Sequence, residues 1–299
     1  MKEEFWGLMT PSAIRGAIEG VLSDLLDGST DKAKKIELLQ KNVLENQKVK
    51  GLKTTDWIEI FEKIMLNIYR YIDTDSSEGQ DILNMFFLLL LINTQEKRIK
   101  IKHLTPDHIT EFMCRVTGVD RTKRILDATC GSGSFLVQAM VKELADCRRS
   151  KREIEAEELI HKVKTEHIYG IEVEEKAYGL AITNMLIHGD GNSNIKFGNC
   201  FDYKDFIKAA DPDIILMNPP YNAKPIGIPD RYKDNWGKSK NGKEDPTKGF
   251  VFIHYLSDVI KEINDERERD GQTRKTVKMA VLLPVAAAIG TKTIIQNEK

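Results

Sequence analysis

The sequence lacks the long apolar run and the basic leader that are typical of membrane-anchored or exported proteins. Its longest apolar run, 85–92, has eight residues, whereas a membrane-spanning helix needs about 20. Residues 1–6 place no apolar core behind a basic start, so no signal peptide is predicted. These absences predict a cytoplasmic protein that does not contact a membrane.

Cysteine is also sparse, and neither sign of charge is in excess. The four cysteines (Cys114, Cys130, Cys147 and Cys200) form no CxxC pair and have no metal-ligand spacing, which predicts free thiols and no metal site. Lys and Arg total 45 against 46 Asp and Glu, a formal net charge of −1. This balance excludes a uniform basic field, so any DNA contact must depend on local charge or on another subunit.

Glycine and proline are rare in residues 1–100, and this region is predicted to be an all-helical N-terminal domain. Apolar residues recur there at helical spacing, first in 14–26 and again in 57–65. Asp56 is the expected N-cap of the second stretch. Residues 101–299 are predicted to form a second domain.

From residue 122 onward, short apolar strands alternate with helices. This order predicts an α/β fold with a parallel sheet covered by helices on both faces. Ligands of such sheets bind beyond the C-terminal ends of the strands. The charged segment 146–164 is predicted to be a solvated helical extension. The predicted strands are 124–127, 167–172, 195–197, 213–217 and 278–283, the helices are 135–144, 175–187 and 250–263, and 222–248 is a polar loop.

The first candidate binding motif is a glycine turn, residues 127–135, which directly follows one predicted strand and precedes a helix. Gly131 and Gly133 allow the backbone to approach a ligand closely, and the helix start adds free N–H donors. The spacing matches neither GxGxxG nor GxxxxGK[ST], which weakens the dinucleotide and P-loop interpretations. A purely structural glycine turn is the alternative.

Glu172 ends the next predicted strand. An acid at this place can accept both hydrogen bonds of a ribose diol. A surface glutamate at a strand end is the alternative. The position of Glu172, one strand–helix unit after the glycine turn, favours the ligand-binding interpretation.

Asn218-Pro-Pro-Tyr221 follows the apolar strand 213–217 and is the most specific motif. The prolines stiffen the chain and remove two backbone donors. The Asn218 side-chain oxygen and the Pro219 carbonyl can then both accept from one NH₂ group, which frees the lone pair of its nitrogen. Tyr221 can stack on the ring that carries the amine. The alternative is a tight loop that merely ends a strand.

Together these motifs resemble those of the DNA adenine-N6 methyltransferases, and in particular the modification subunits of type I restriction-modification systems. The resemblance implies an S-adenosylmethionine-dependent methyltransferase (Rossmann-like) parallel sheet preceded by a helical domain. It covers most of residues 56–299. The matching stretches are 105–108, 127–135, 169–172, 198–201, 218–221, 248–252 and 279–284.

The resemblance also implies roles for individual residues. Glu172 would hold the ribose hydroxyls of S-adenosylmethionine, and Asn218, Pro219, Pro220 and Tyr221 would form the catalytic pocket for a flipped-out adenine. The methionine part of the cofactor would be bound by Thr105, Pro106, Asp127, Thr129, Gly131, Ser132 and Gly133, and its adenine would be flanked by Asn199, Cys200 and Phe201. The implied reaction is direct methyl transfer to N6 without a covalent enzyme intermediate. The implied partners are double-stranded DNA, a specificity subunit, a second modification subunit and a restriction subunit.

Three departures from the family pattern accompany the resemblance. Asn199 stands where the family usually has an acid, although an amide can still accept a hydrogen bond from an adenine amine. The segment 88–104 does not match the family, while both of its flanks do. The chain ends soon after the last predicted strand, which predicts a sheet that is incomplete at its C-terminus. Two other functions stay open. The Asn218-Pro-Pro-Tyr221 motif also suits methylation of an RNA base amine or of a protein glutamine, and the last two departures favour a catalytically impaired remnant that binds only cofactor or partners.

Overall fold

The computed structural model describes residues 10–69, 105–150, 152–190, 194–221, 227–233, 245–285 and 287. The unmatched segment 88–104 lies outside the described residues, as do parts of the predicted loop 222–248. The predicted domain boundary near residue 100 also falls there and stays a prediction. The predicted incompleteness of the sheet at its C-terminus also stays a prediction.

A parallel sheet of five strands forms the centre of the described residues, in the order β3-β2-β1-β4-β5. Its central strand β1 pairs in parallel with β2 on one side and with β4 on the other. The carboxyl ends of all the strands therefore meet at one edge, and the predicted parallel sheet is confirmed. The strands are β1 (Ile125–Asp127), β2 (Ile168–Glu172), β3 (Asn194–Phe197), β4 (Ile214–Met217) and β5 (Lys278–Val281).

Helices cover both faces of this sheet because side chains alternate between the faces along each strand. Ile125 and Ile214 belong to the core on one face, whereas Leu126 and Ile215 belong to the core on the other. The first face packs against α5 (Asp107–Thr117), α6 (Ser134–Ser150), α7 (Glu153–Lys162) and α8 (Glu175–Ile187). The second packs against α9 (Lys204–Ala210) and α10 (Phe250–Arg269).

The described part of the N-terminal region is helical, as predicted, and it packs beside the β3 edge of the sheet. The Lys196 Nζ on β3 forms an ion pair with the Asp31 Oδ1 at 2.7 Å, and the Thr30 hydroxyl donates to the Asn194 Oδ1 at 3.1 Å. The helices are α1 (Pro11–Leu25), α2 (Lys32–Leu39), α3 (Gln47–Lys50) and α4 (Thr54–Asn67).

Two local predictions are wrong. Asp56 is not the N-cap of α4, which begins two residues earlier; instead its carboxyl accepts the Lys53 N–H at 2.7 Å from the third helical position. The described residues of 146–164 are mostly helical but not simply solvated, because apolar side chains of α6, of α7 and of the π-helical turn after α7 face the core. Cys147, Ile160 and Val163 are buried there. No helix of the described ranges is long and apolar enough to cross a membrane.

Candidate active site

The glycine turn connects β1 to α6 with two residues in the left-handed region. Gly131 has φ 56° and Gly133 has φ 81°. The Gly133 N–H donates to the Cys130 carbonyl at 2.8 Å. A Cβ on Gly133 would lie 3.4 Å from the Ala181 backbone of α8. Glycine is therefore favoured here by the backbone conformation, while a Cβ would make only an ordinary van der Waals contact with α8.

Glu172 closes the turn from the neighbouring strand. Its Oε2 accepts the Gly131 N–H at 2.8 Å, and its Oε1 accepts the Glu174 N–H at 2.7 Å. The residue is only 8% exposed. A carboxylate oxygen has lone pairs for more than one hydrogen bond. An acidic acceptor at this strand end fits the ribose diol of the group that the resemblance implies.

Asp127 lies beneath this turn, at the end of β1. It is 1% exposed, and its Oδ1 accepts the Thr129 N–H at 3.0 Å. Burial, together with the nearby Glu172 charge, raises the pKa of Asp127 to about 8 against the opposing Thr129 hydrogen bonds. The raised pKa favours the protonated carboxyl over a second full negative charge beside Glu172.

Ser132 is fully buried, and its carbonyl oxygen accepts the Asn184 side-chain N–H of α8 at 3.1 Å. Its hydroxyl lies 3.2 Å from the Ser134 hydroxyl. The Ser132 backbone thus ties the glycine turn to α8, which gives this predicted binding residue a structural contact of its own.

The predicted adenine-flanking residues follow β3. The Asn199 side chain accepts the Phe201 N–H at 3.3 Å and lies so close to Gly227 that a Cβ there would be 2.4 Å from its Nδ2. The centroid of the Phe201 ring lies 5.1 Å from that of Phe252 and 4.9 Å from that of Tyr255. Cys200 is also buried, and burial raises the pKa of its thiol well above its ordinary value. Cys200 and Phe201 therefore pack mainly into the core, just beyond the carboxyl end of β3.

Asn218-Pro-Pro-Tyr221 begins directly after β4 and contacts a distant part of the chain. The Asn218 Nδ2 donates to the Thr105 hydroxyl at 3.2 Å, across 113 residues of sequence. Thr105 is buried and, with Pro106, directly precedes α5. The structure thus brings the predicted Thr-Pro and Asn-Pro-Pro-Tyr motifs together.

The three motif-bearing strands lie side by side in the order β2-β1-β4. Neighbouring strands are about 4.8 Å apart, so the chain positions that follow β2 and β4 flank the glycine turn at about one strand spacing each. A ligand lying across this edge could contact Glu172, Gly131 and the Asn218 turn together. Within the described ranges no cluster of His, Cys, Asp and Glu has the arrangement of a metal site.

A supporting turn behind the Asn218 motif was missed by the sequence reasoning. Asp245 and Thr247 are buried, and Gly249 lies so close to Pro219 that a Cβ on it would be 3.2 Å from the Pro219 Cγ. The signal was present in the Asp245-x-Thr247-x-Gly249 spacing, which is typical of a side-chain-capped turn. Of this stretch, the family resemblance includes only residues 248–252.

The model of the N-6 DNA methylase family matches residues 79–264, well over half of the chain. The chain belongs to the N-6 DNA methylase family. This membership confirms the resemblance that the motifs predicted, and the matched range contains the glycine turn, Glu172 and Asn218-Pro-Pro-Tyr221.

Relatives of this N-6 DNA methylase include two restriction-modification proteins. The type II restriction enzyme and methyltransferase RM.BcgI of Heyndrickxia coagulans is 37% identical over 120 residues, which cover 40% of this chain and 18% of that protein. The methylase subunit of the type I restriction enzyme EcoEI of Escherichia coli is 27% identical over 158 residues, 52% of this chain and 31% of that subunit. The matches thus span less than a third of either relative.

Solved structures agree on the fold. The type I restriction-modification methyltransferase subunit from Streptococcus thermophilus superposes with a TM-score of 0.53 at 19% identity, covering 96% of this chain and 58% of that one. A class I S-adenosylmethionine-dependent methyltransferase fold from Listeria monocytogenes superposes with a TM-score of 0.51 at 12% identity, covering 94% and 77%. The predicted methyltransferase sheet preceded by helices is confirmed.

Proposed function

We propose that this chain transfers a methyl group from S-adenosylmethionine to the N6 amine of a flipped-out adenine in DNA, as the modification subunit of a type I restriction-modification complex. The contact between Asn218 and Thr105 carries the proposal. With its Nδ2 donated to the Thr105 hydroxyl at 3.2 Å, the Asn218 amide keeps its oxygen as an acceptor for the target amine.

The residues of the Asn218 motif supply two acceptors for one amine. The Asn218 Oδ1 and the Pro219 carbonyl accept the two N6 hydrogens, which increases the nucleophilic character of the nitrogen lone pair. Tyr221 stacks on the flipped base, and extrusion of that base costs a few kcal/mol. Catalysis then rests on positioning and on hydrogen bonds that are made before the reaction begins.

The cofactor would be held at the edge of β2, β1 and β4. Glu172 accepts the ribose hydroxyls, and the glycine turn, with Asp127, Thr129, Ser132, Thr105 and Pro106, encloses the methionine part. Asn199, Cys200 and Phe201 flank the adenine. Bound there, S-adenosylmethionine supplies an electrophilic methyl group on a sulfonium.

The proposed complex contains double-stranded DNA, a specificity subunit, a second modification subunit and a restriction subunit, and it works in the cytoplasm. A formal net charge of −1 supports a complex in which other subunits supply most of the DNA affinity. Such a chain has little nonspecific attraction to DNA. The names of the Escherichia coli and Streptococcus thermophilus relatives support the type I assignment.

The test is transfer of tritiated methyl groups by the full chain assembled with its cognate specificity subunit. Label should enter the N6 of adenine in a duplex with the recognition site, and calorimetry should detect cofactor binding by the chain alone. Labelling of RNA or of a protein glutamine instead would overturn the substrate assignment. Cofactor binding without any transfer would support the impaired remnant.

A further inference from the structure

We infer that Asp245 is a positioning residue that sets the catalytic Asn218-Pro-Pro-Tyr221 turn through Gly249, in a segment that the proposed function leaves without a role. The inference rests on the proposed function for its kinetic test only. Its structural content is that one buried carboxyl group shapes a turn, and that this turn forms the wall behind Pro219 and Tyr221.

The first step is the hydrogen bonding of Asp245. The residue is 2% exposed. Its Oδ1 accepts both the N–H and the hydroxyl of Thr247 at 2.7 Å, and its Oδ2 accepts the Gly249 N–H at 2.7 Å. The Thr247 hydroxyl in turn accepts the Val251 N–H at 3.1 Å. Asp245 therefore holds the whole turn that starts α10.

The second step is the conformation that this network enforces. Lys248 has φ 54° and Gly249 has φ 95°, so two consecutive residues occupy the left-handed region. That region costs a side-chain-bearing residue such as lysine about 1 kcal/mol or more, and it persists only where the surroundings hold it. The Asp245 carboxyl supplies that restraint on both sides of Lys248, at Thr247 and at Gly249.

The third step is the contact with the catalytic turn. A Cβ on Gly249 would lie 2.9 Å from the Leu283 side chain, 3.2 Å from the Pro219 Cγ and 3.7 Å from the Tyr221 Cβ. The Gly249 backbone therefore packs directly against the side of Asn218-Pro-Pro-Tyr221. Because Pro219 supplies a carbonyl acceptor in the proposed reaction, a shift of Gly249 is transmitted to the target amine.

The chain contains matched control positions for both residues. Asp120 makes the same local pattern, accepting the N–H of Thr122 at 2.8 Å, but it precedes β1 and so lies at the opposite edge of the sheet. Gly271 shares the positive φ of Gly249, at 71°, and a Cβ on it would meet nothing within 4 Å. Asp120→Asn and Gly271→Ala therefore reproduce the local chemistry without the contact to Pro219.

The kinetic test compares Asp245→Asn and Gly249→Ala with these controls in the full chain assembled with its specificity subunit. The asparagine NH₂ opposes the Gly249 N–H, and the alanine Cβ pushes on Pro219. In both variants kcat should fall by about tenfold or more, since a misplacement of about 1 Å can cost 10²-fold. The Kd for S-adenosylmethionine should stay within about twofold, and rates are normalised to cofactor-binding stoichiometry so that misfolded protein does not count. Equal kcat in the Asp245 and Asp120 variants would overturn the inference.

A structural readout separates this inference from the proposed function. Crystal structures of Asp245→Asn and Gly249→Ala should show 218–221 displaced relative to β4, with the glycine turn and Glu172 in place. An undisplaced turn in both variants overturns the positioning role, whatever the activity. Absence of methyl transfer by the unmodified complex overturns the proposed function and leaves this measurement to decide the positioning role alone.

Discussion

The two turns that build the candidate site are held in different ways. In the proposed function the glycine turn after β1 forms the cofactor half and the Asn218 turn after β4 forms the target half. The glycine turn is held by donating to its immediate neighbour β2, as from the Gly131 N–H to Glu172 at 2.8 Å. The target half, the Asn218 turn after β4, is stiff through its prolines and is braced by remote residues. Thr105 reaches it across 113 residues of sequence, and Gly249 packs against its side.

This difference separates binding from chemistry. In the proposed function the cofactor half presents the Glu172 charge, which favours cofactor binding in the ground state. The target half presents neutral acceptors whose value depends on their orientation, which is the kind of interaction that acts in the transition state. Substitutions in the first half should therefore change Kd for the cofactor, and those in the second should change kcat.

Asn218→Ala is expected to have the largest effect. Loss of its acceptor should lower kcat about 10²- to 10³-fold. The Kd for S-adenosylmethionine should stay nearly unchanged, because in the proposed function this side chain binds the target base and not the cofactor. Methyl transfer and calorimetry on the same preparation measure both. Asn46→Ala, which removes an exposed helix cap in the N-terminal region, is the control. Loss of cofactor binding in the Asn218 variant would contradict the proposed separation of cofactor binding from chemistry.

A pH series sharpens the contrast on the cofactor side, where Asp127 and Glu172 lie close together. The pKa of Asp127 is raised to about 8 in the folded chain, against about 3.9 when unfolded. The folded state then holds the extra proton between these values. The free energy of unfolding therefore falls as pH rises from about 4 to about 8, by no more than about 1.4 kcal/mol per pH unit.

Asp127→Asn should remove that contribution. The stability of the variant relative to the parent chain should increase with pH up to about 8 and then level off, as measured by denaturant unfolding from pH 5 to pH 9. Asp270→Asn, at an exposed helix end, should show no such trend. Parallel curves for the parent chain and the Asp127 variant would show that this carboxyl group is ionised in the folded state.

Glu172→Gln tests the cofactor half directly. The glutamine NH₂ must oppose either the Gly131 or the Glu174 N–H, and the charge is lost. We expect cofactor binding to weaken by about 2 kcal/mol, about thirtyfold, with kcat at saturating cofactor little changed. Glu175→Gln, which breaks a 3.3 Å surface ion pair with Lys41, should have almost no effect. A drop in kcat alone would place Glu172 in the chemistry.

The same difference explains what the sequence could predict. The cofactor half is built from contiguous signals: a strand ends in an acid, two glycines follow and a helix begins. The target motif was equally plain, but its supports were not. That Thr105 contacts Asn218, and that Gly249 packs on Pro219, depends on how strands and helices distant in sequence are brought together by the sheet order.

Two errors have local causes. Mixed charges in 146–164 obscure the apolar spacing of Ile160 on α7 and Val163 in the π-helical turn that follows, both of which are buried in the core. Asp56 was placed at the N-cap on residue type, although an acid in the first helical turn can instead accept the N-cap N–H. Both errors arose because residue type was weighed above position along the helix.

Thr105→Val has the smallest expected effect and is the sharpest test of the comparison, because the resemblance gives this residue to the cofactor and the hydrogen bond gives it to Asn218. Valine keeps the shape and removes the acceptor, so the Asn218 amide can rotate. If the hydrogen bond to Asn218 is the main role of Thr105, the activation free energy rises by about 1 kcal/mol. The kcat then falls about fivefold, and the cofactor Kd is unchanged. Thr110→Val, whose hydroxyl donates to the Asp107 carbonyl in the first turn of α5, controls for the loss of a buried hydroxyl beside the site. A weaker cofactor Kd with an unchanged kcat would instead assign Thr105 to cofactor binding. Of the two remote contacts, only that of Gly249 would then support the Asn218 turn.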